Sequence, residues 1–263
     1  MHMDMKKLVY IIAAALAITS CASLNQARLL QGGAKVAQAL TLDESQLKAY
    51  VTQSVAQLDK QNTVLTSGSY VTRLNNIVKG INSVDGTPLT FKVYKTNEVN
   101  AFACADGNVR VYTGLMDVMT DEEVLGVLGH EIGHVALKHT LNAYKQAILS
   151  SAALDAVAST GNVAAALTDS VLGQLAESMV SAKYSRKQET QADDYGYEFL
   201  KSKNKNPYYM AMAFEQLMAK SGSGTATQAS SIQQLFSSHP DTQSRIDRVN
   251  KKAAKEGFTR PAK

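Results

Sequence analysis

The spacing of apolar residues along the chain predicts a mainly helical protein. From Leu42 onward the apolar positions recur every three or four residues, which is the period of an amphipathic helix. The members of this first stripe are Leu47, Val51, Val55 and Leu58. We expect a second helix over Tyr70–Ile81 and helices over most of the chain after Thr120, with Pro207 and Pro240 where helices begin.

Alternation of apolar and polar residues indicates two strands, Thr90–Tyr94 and Val109–Tyr112. Between them, Asn100–Ala103 is a candidate third strand, and Asp106-Gly107-Asn108 is a good hairpin turn before the last strand. The predicted fold class is therefore α+β, mainly helical, with a small sheet near the middle of the chain.

The Ala- and Ser-rich segment 141–182 has a less definite pattern. Asp155, Asn162 and Asp169 interrupt its apolar run, so no part of it qualifies as a membrane span. The segment fits a pair of tightly packed helices or a mobile flap, and contact with a membrane surface is a further alternative.

The N-terminus has the pattern of an export signal. Lys6 and Lys7 precede an apolar run over 8–18, and the following residues end at Cys21 in a sequence that resembles the bacterial lipobox. Because Ala22 rather than Asp follows the cysteine, the resemblance implies export to the outer membrane, with the folded domain facing the periplasm. An ordinary signal peptide with an incidental cysteine is the alternative. The expected organisation is a lipoprotein signal peptide over 1–20, a lipidated N-terminus and tether over 21–40, and one folded domain over 41–263, which carries the candidate chemistry described below.

Composition argues against nucleic acid as a partner. The 263 residues are 45% hydrophobic and 19% charged, as in an ordinary globular protein. The formal charge of +4 falls to +3 without the charged residues Asp4, Lys6 and Lys7 of the expected signal peptide, which is too weak and scattered for nucleic-acid binding. Cys104 is the only other cysteine, so with Cys21 acylated we expect no internal disulfide and a passive hydrophobic role for Cys104.

The strongest chemical signal is His130-Glu131-Ile132-Gly133-His134. Thr120 and Glu123 form a capping box that begins a helix, and at about 100° per residue histidines four positions apart lie on one face of it. Two such imidazoles can hold one Zn²⁺, and Glu131 beside them can take a proton from activated water. The alternative is a chance coincidence, but a helix this apolar is buried, and buried His and Glu need partners or a metal.

A catalytic zinc needs a third protein ligand. Leu137 and Thr140 stand where the metzincin pattern requires Gly and His, which excludes that class. His139 falls about 180° around the helix from His130, so we expect a structural or surface role for it.

Glu189 and Asp193 lie four residues apart on a predicted helix. Glu189 can ligate a metal, and Asp193 can accept a hydrogen bond from a zinc-bound imidazole. Spacing alone does not distinguish them from the other glutamates on predicted helices, or from a solvated ion-paired face.

Taken together, these motifs resemble one peptidase family. In chain order they are Asn100-Ala101-Phe102-Ala103, His130–His134, the Ser-Arg-x-x-Glu-x-x-Ala-Asp run over 185–193, and Ser238-His239-Pro240 with Arg245. The family includes HtpX and the CAAX prenyl proteases, and within it the chain is similar to the small bacterial lipoprotein members of the LoiP type, over roughly 42–249. The resemblance implies a gluzincin-type metallopeptidase domain whose sheet packs against the active-site helix. It implies His130, His134 and Glu189 as the ligands of one Zn²⁺, and Glu131 as the general base.

The resemblance gives roles to two further segments. It implies that Asn100, Ala101, Phe102 and Ala103 form an edge strand against which an extended substrate pairs, the alternative being a plain core strand. It also places His239 beside the active site. His239 then stabilises the oxyanion, blocks the water site as a fourth zinc ligand, or caps a helix, and the sequence leaves all three open.

The function implied is that of a zinc-dependent endopeptidase, anchored to the bilayer through acylated Cys21, that acts on unfolded or misassembled envelope proteins. One alternative is a chaperone that binds such proteins without cutting them, although a pure binder has no use for Glu131. Another is a zinc-stabilised structural lipoprotein with His239 as a fourth ligand. The sequence leaves the cleavage-site preference and the oligomeric state open.

Overall fold

A computed structural model describes residues 42–150 and 167–262 of the chain. The predicted signal peptide, Cys21, the tether and the middle of the Ala- and Ser-rich segment lie outside the described residues. The larger of two units comprises Asp43–Ala147 and Asp169–Lys263 and contains the sheet and the candidate site. The smaller unit comprises Met1–Leu42 and Ile148–Thr168, most of which lies outside the described residues. None of the described helices combines the length and the apolar character needed to cross a bilayer.

The described elements are mostly helices. The helices are α1 (Glu44–Gln61), α2 (Ser69–Ile77), α3 (Thr113–Val118), α4 (Asp121–Ala136), α5 (His139–Ser150), α6 (Asp169–Val180), α7 (Arg186–Ser202), α8 (Tyr208–Ser223), α9 (Ala226–Ser238) and α10 (Thr242–Lys255). The strands are β1 (Val64–Leu65), β2 (Ser83–Val84), β3 (Thr87–Pro88), β4 (Thr90–Tyr94), β5 (Ala101–Ala103) and β6 (Asn108–Tyr112). The predicted α+β class, mainly helical with a small sheet, is confirmed.

The helix ends follow local capping chemistry. Asp43 caps α1, and the predicted apolar stripe of that helix is buried. The second helix was expected to reach Ile81, but α2 ends at Ile77 because the backbone turns there and Gly80 takes the left-handed φ of +78°. Pro207 stands directly before α8, as predicted, whereas α10 begins two residues after Pro240.

The four-stranded sheet has the order β1-β4-β6-β5. β4 pairs with β6 in parallel, and β5 forms the predicted antiparallel hairpin with β6 and lies at the edge. The alternation did not reveal β1 or the β2–β3 hairpin. In that hairpin Asp85 and Gly86 have φ of 44° and 76°, the left-handed pair that a type I′ turn requires.

Helix α4 lies at the centre of the larger unit, against the edge strand β5 and helices α7 and α8. Small residues let α4 and α7 approach closely. A Cβ atom added at Gly133 would lie 2.9 Å from the carbonyl oxygen of Ala192, and one added at Gly196 would lie 3.0 Å from the backbone nitrogen of His130. This close approach brings the polar side chains of the two helices within reach of each other.

Candidate metal centre

The two histidines of α4 point into one buried cluster. Thr120 caps the helix as predicted: its hydroxyl accepts from the Glu123 N–H at 3.3 Å, and Glu123 accepts from the Thr120 N–H at 2.8 Å. One helical turn separates His130 from His134, and their Nε2 atoms lie 3.2 Å apart. Both rings are buried.

Helix α7 brings Glu189 to the same point. Its Oε1 atom lies 3.3 Å from His134 Nε2, and its Oε2 atom lies 3.6 Å from His130 Nε2. Ser185 caps α7 and so places Glu189 in its first turn, where the positive end of the helix dipole favours a carboxylate.

His239 completes the cluster from the C-terminal end of α9. Its Nδ1 atom lies 3.4 Å from His130 Nε2 and 3.1 Å from Glu189 Oε1. Together with His134, these residues can hold a metal ion, since one ligand atom from each lies within 4.8 Å of all the others. The structure therefore places His239 within reach of the cluster.

The cluster fits a zinc ion in both spacing and chemistry. Two ligands at about 2.0–2.1 Å from a tetrahedral zinc lie about 3.3–3.4 Å apart, close to the 3.2 and 3.3 Å that separate His134 Nε2 from His130 Nε2 and Glu189 Oε1. Burial lowers the pKa of His134 well below its usual value, which keeps the imidazole neutral as a ligand must be. Burial opposes ionisation of Glu189, but hydrogen bonds with His134 and His239 outweigh it and lower the pKa, so Glu189 stays a carboxylate.

His130 contacts a buried ion pair formed by Asp193 and Arg245. Asp193 Oδ1 lies 3.0 Å from His130 Nδ1, a distance at which a carboxylate can orient a metal-binding imidazole. Arg245 donates to both oxygens of Asp193 at 2.7 and 2.9 Å, lies 2.5 Å from Glu189 Oε2, and covers the Phe214 ring. Burial opposes the charge on Asp193, but Arg245 outweighs it and holds the Asp193 pKa well below its usual range.

Glu131 is buried and lines an apolar cleft beside the cluster. Burial raises the pKa of its carboxyl above the usual value, against the opposing effects of His239 and His130. A carboxyl with a raised pKa is suited to accepting and returning a proton near neutral pH. The apolar walls of the cleft are Leu115, Val127, Phe214, Leu217, Leu235 and Phe236.

The predicted edge strand lies beside this cleft, and Ala101 lines it. Ala101, Phe102 and Ala103 form β5, whereas Asn100 lies just outside the strand, with its carbonyl accepting from the Tyr112 N–H at 3.0 Å. All three residues of β5 are buried. Cys104 is also buried and forms no disulfide with any described residue.

Of the two roles expected for His139, structural or surface, the structure leaves the structural one. The angular argument assumed a continuous helix, but α4 ends at Ala136 and Lys138 takes a left-handed φ of 58°. The turn brings His139 back against α4, where it is buried with its Nδ1 atom 3.1 Å from His134 Nδ1. A surface position is therefore excluded.

Tyr184 was not singled out from the sequence. Its ring stacks on His134 at 3.9 Å between centroids. Its position directly before the capping residue Ser185 was the only available signal, and that signal is weak.

The fold and the site define a class before any relative is considered. A helix with His-Glu-x-x-His, a glutamate from a later helix in the same buried cluster and a small sheet against the first helix are the parts of a zinc-dependent metallopeptidase of the gluzincin type. Comparison with known proteins agrees. The chain belongs to Peptidase family M48, whose family model matches residues 69–253, and it is a zinc metalloendopeptidase.

Two similar proteins of Escherichia coli K12 match almost the whole chain. Metalloprotease LoiP is 36% identical over 258 residues, which is 97% of this chain and 100% of LoiP. Metalloprotease YcaL is 39% identical over 254 residues, 95% of this chain and 97% of YcaL. The beta-barrel assembly-enhancing protease of the same organism is 28% identical over 180 residues, covering 65% of this chain and 35% of that protein. The family resemblance inferred from the motifs is confirmed.

Proposed function

We propose that this zinc endopeptidase cleaves unfolded or misassembled proteins of the bacterial envelope while anchored to the outer membrane through acylated Cys21. The lipobox-like sequence that ends at Cys21 supports the anchor. The similarity to a protease named for its role in β-barrel assembly supports envelope substrates. The observation that carries the proposal is a cluster of four possible ligands beside Glu131 and an apolar cleft, next to a sheet edge on which no strand of the described residues pairs.

In this proposal His130, His134 and Glu189 hold the zinc, and Asp193 orients His130 through its Nδ1 atom. Bound zinc supplies a Lewis acid that polarises the scissile carbonyl and activates water. Glu131 accepts the proton of the attacking water and returns it to the leaving amine. The buried ion pair of Arg245 with Asp193 keeps α7 and α10 in register around this arrangement.

Strand β5 offers its outer edge to an extended substrate. The Cys104 N–H donates to the Asn108 carbonyl at 2.8 Å, so the even-numbered residues of this segment face β6. The backbone groups of Ala101 and Ala103 therefore face the opposite edge, where no described strand pairs. An added substrate strand is recognised through its main chain, which suits an enzyme that accepts many unfolded sequences.

Of the three roles for His239, we propose that of a gating fourth ligand. Its Nδ1 atom faces His130 and Glu189, while its Nε2 atom is 4.0 Å from Glu131. A catalytic zinc needs an open position, so His239 must withdraw before substrate is cleaved. His239→Ala is then expected to raise the cleavage rate. A fall in kcat supports the oxyanion role instead, and an unchanged rate supports a structural one.

The central test combines hydrolysis of a denatured protein with zinc content. Glu131→Gln should keep its zinc and its fold but lose hydrolysis, because the ligands are untouched and the base is gone. Glu189→Ala should lose zinc as well, and the exposed Glu177→Gln is the matched control that should behave as wild type. Binding of the denatured protein that never leads to chelator-sensitive cleavage would favour the chaperone alternative.

A further inference from the structure

The Nδ1 atoms of His130 and His134, which face away from the cluster, have different hydrogen-bond partners. His130 Nδ1 meets a carboxylate, Asp193, at 3.0 Å. His134 Nδ1 instead meets a second imidazole, His139, at 3.1 Å. His134 and His139 are both buried, so water does not replace this contact readily.

The direction of the hydrogen bond between the two rings follows from the chemistry of His134. A neutral imidazole carries one proton, and two ring nitrogens at this distance bond only if one of them is protonated. His134 turns Nε2 toward Glu189 and His130, and a ligand nitrogen there must keep its lone pair free. The proton of His134 is therefore on Nδ1, and His139 Nδ1 accepts it.

The surroundings hold both rings in this arrangement. The side chain of Gln191, two residues after Glu189 on α7, is a second polar partner of the His139 ring. Tyr184 stacks on the face of His134 with an interplanar angle of 30°. Contacts at the Nδ1 edge and on the face together restrict rotation of the His134 ring.

We propose that His139 is a positioning residue for zinc binding: it accepts the Nδ1–H of His134 and so fixes the tautomer whose Nε2 lone pair faces the metal. The inference rests on the proposed role of His134 as a zinc ligand. It also explains why the chain turns at Lys138: the turn brings His139, five residues after His134 in the sequence, back into contact with α4.

Zinc affinity of the purified full-length chain, measured by competition with a chelator, tests the proposal. His139→Leu removes the acceptor and should weaken zinc binding about 10–100-fold, the range for losing an outer partner of a ligand. His139→Asn keeps an acceptor oxygen close to the position of Nδ1 and should recover most of the affinity. Thr140→Val is the matched control, because the neighbouring Thr140 hydroxyl is buried and has no hydrogen-bond partner among the described residues.

The outcomes separate a positioning role from a packing role. Wild-type zinc affinity in His139→Leu, or equal losses in His139→Leu and His139→Asn, overturns the proposal. His134→Ala serves as the reference: if it binds zinc like wild type, the ligand assignment itself fails, which is a different result. Should His139→Leu not fold, NMR of ¹⁵N-histidine-labelled zinc protein decides, since the proposal requires a His134 proton on Nδ1 and a proton on Nε2 refutes it.

Discussion

The half-buried carboxylate of Asp59 offers a quantitative test of how the sheet is held to α1. Arg110 on β6 is 1% exposed and donates to both oxygens of Asp59, at 2.9 and 3.0 Å. Tyr94 and Lys92 donate to the same carboxylate at 2.6 and 2.7 Å. Burial opposes ionisation, but these donors outweigh it and lower the pKa of Asp59 from 3.8 to about 2.

The sign and size of the effect follow from the pKa. Because the folded-state pKa is depressed, the stabilisation is complete above the unfolded value and is lost as the pH falls from about 5 through about 2. At about 1.4 kcal/mol per pKa unit, the shift corresponds to roughly 2 kcal/mol. Asp59→Asn also leaves the Arg110 guanidinium buried without a counter-charge, so its full cost near neutral pH should be about 3–5 kcal/mol.

Urea unfolding of wild type and Asp59→Asn at pH 7 and at pH 2.5 measures both quantities. The difference in unfolding free energy between wild type and Asp59→Asn should be about 3–5 kcal/mol at pH 7. It should narrow by up to roughly 2 kcal/mol at pH 2.5, because Asp59 of the unfolded wild-type chain is then protonated while that of the folded protein stays mostly ionised. Zinc release in acid affects both proteins and cancels in the difference. Lys92→Met, which removes an exposed partner, should cost less than about 1 kcal/mol. A gap that stays constant between the two pH values refutes the reasoning.

Three further predictions concern the site and the anchor. Gly133→Ala places a Cβ 2.9 Å from the Ala192 carbonyl and should cost about 1–3 kcal/mol in urea unfolding and weaken zinc binding, whereas unchanged affinity would show that α4–α7 spacing does not set the site. Asp193→Ala should weaken zinc binding about 10–100-fold in chelator competition, less than Glu189→Ala does, and the reverse order would exchange their roles. Cys21→Ser should give a soluble periplasmic protein with full peptidase activity, and its recovery in salt-washed outer membranes would contradict a single lipid anchor.

What the sequence revealed of the fold depended on how local the signal was. Strand β4 appears over the predicted Thr90–Tyr94, because alternation along one strand reports its own half-buried faces. Strand β1 has only two residues and exists through its pairing with β4, so no local period could show it. The angular argument for His139 went wrong for the opposite reason. It extended a true helical period past Ala136, where the helix ends and Lys138 takes a left-handed φ of 58°.

Within the candidate site, too, some residues could be predicted from local spacing and others depend on tertiary packing. The spacing of His130 and His134 is enough to predict that their imidazoles lie together, since both are on one turn of one helix. Glu189 reaches them only because glycines on α4 and α7 let the two helices nearly touch, and that packing depends on the tertiary fold. Glu189 could therefore be assigned from family resemblance but not from periodicity.

The role of His239 could be predicted neither from periodicity nor from family resemblance. Motif order could place it beside the metal, but its role depends on which ring nitrogen faces the cluster, and the motif does not specify that nitrogen. The Val99 N–H at the entry to β5 donates to the Ser231 hydroxyl of α9 at 2.9 Å, so the helix that carries His239 is tied to the proposed substrate edge. A substrate strand that displaces α9 from this edge would also draw His239 Nδ1 away from His130 and Glu189. If His239 is the gating ligand proposed above, substrate binding would open the fourth ligand position in the same movement, and Ser231→Ala should raise basal cleavage in the same direction as His239→Ala, by a smaller factor. Equal rates in Ser231→Ala and wild type would separate the two events.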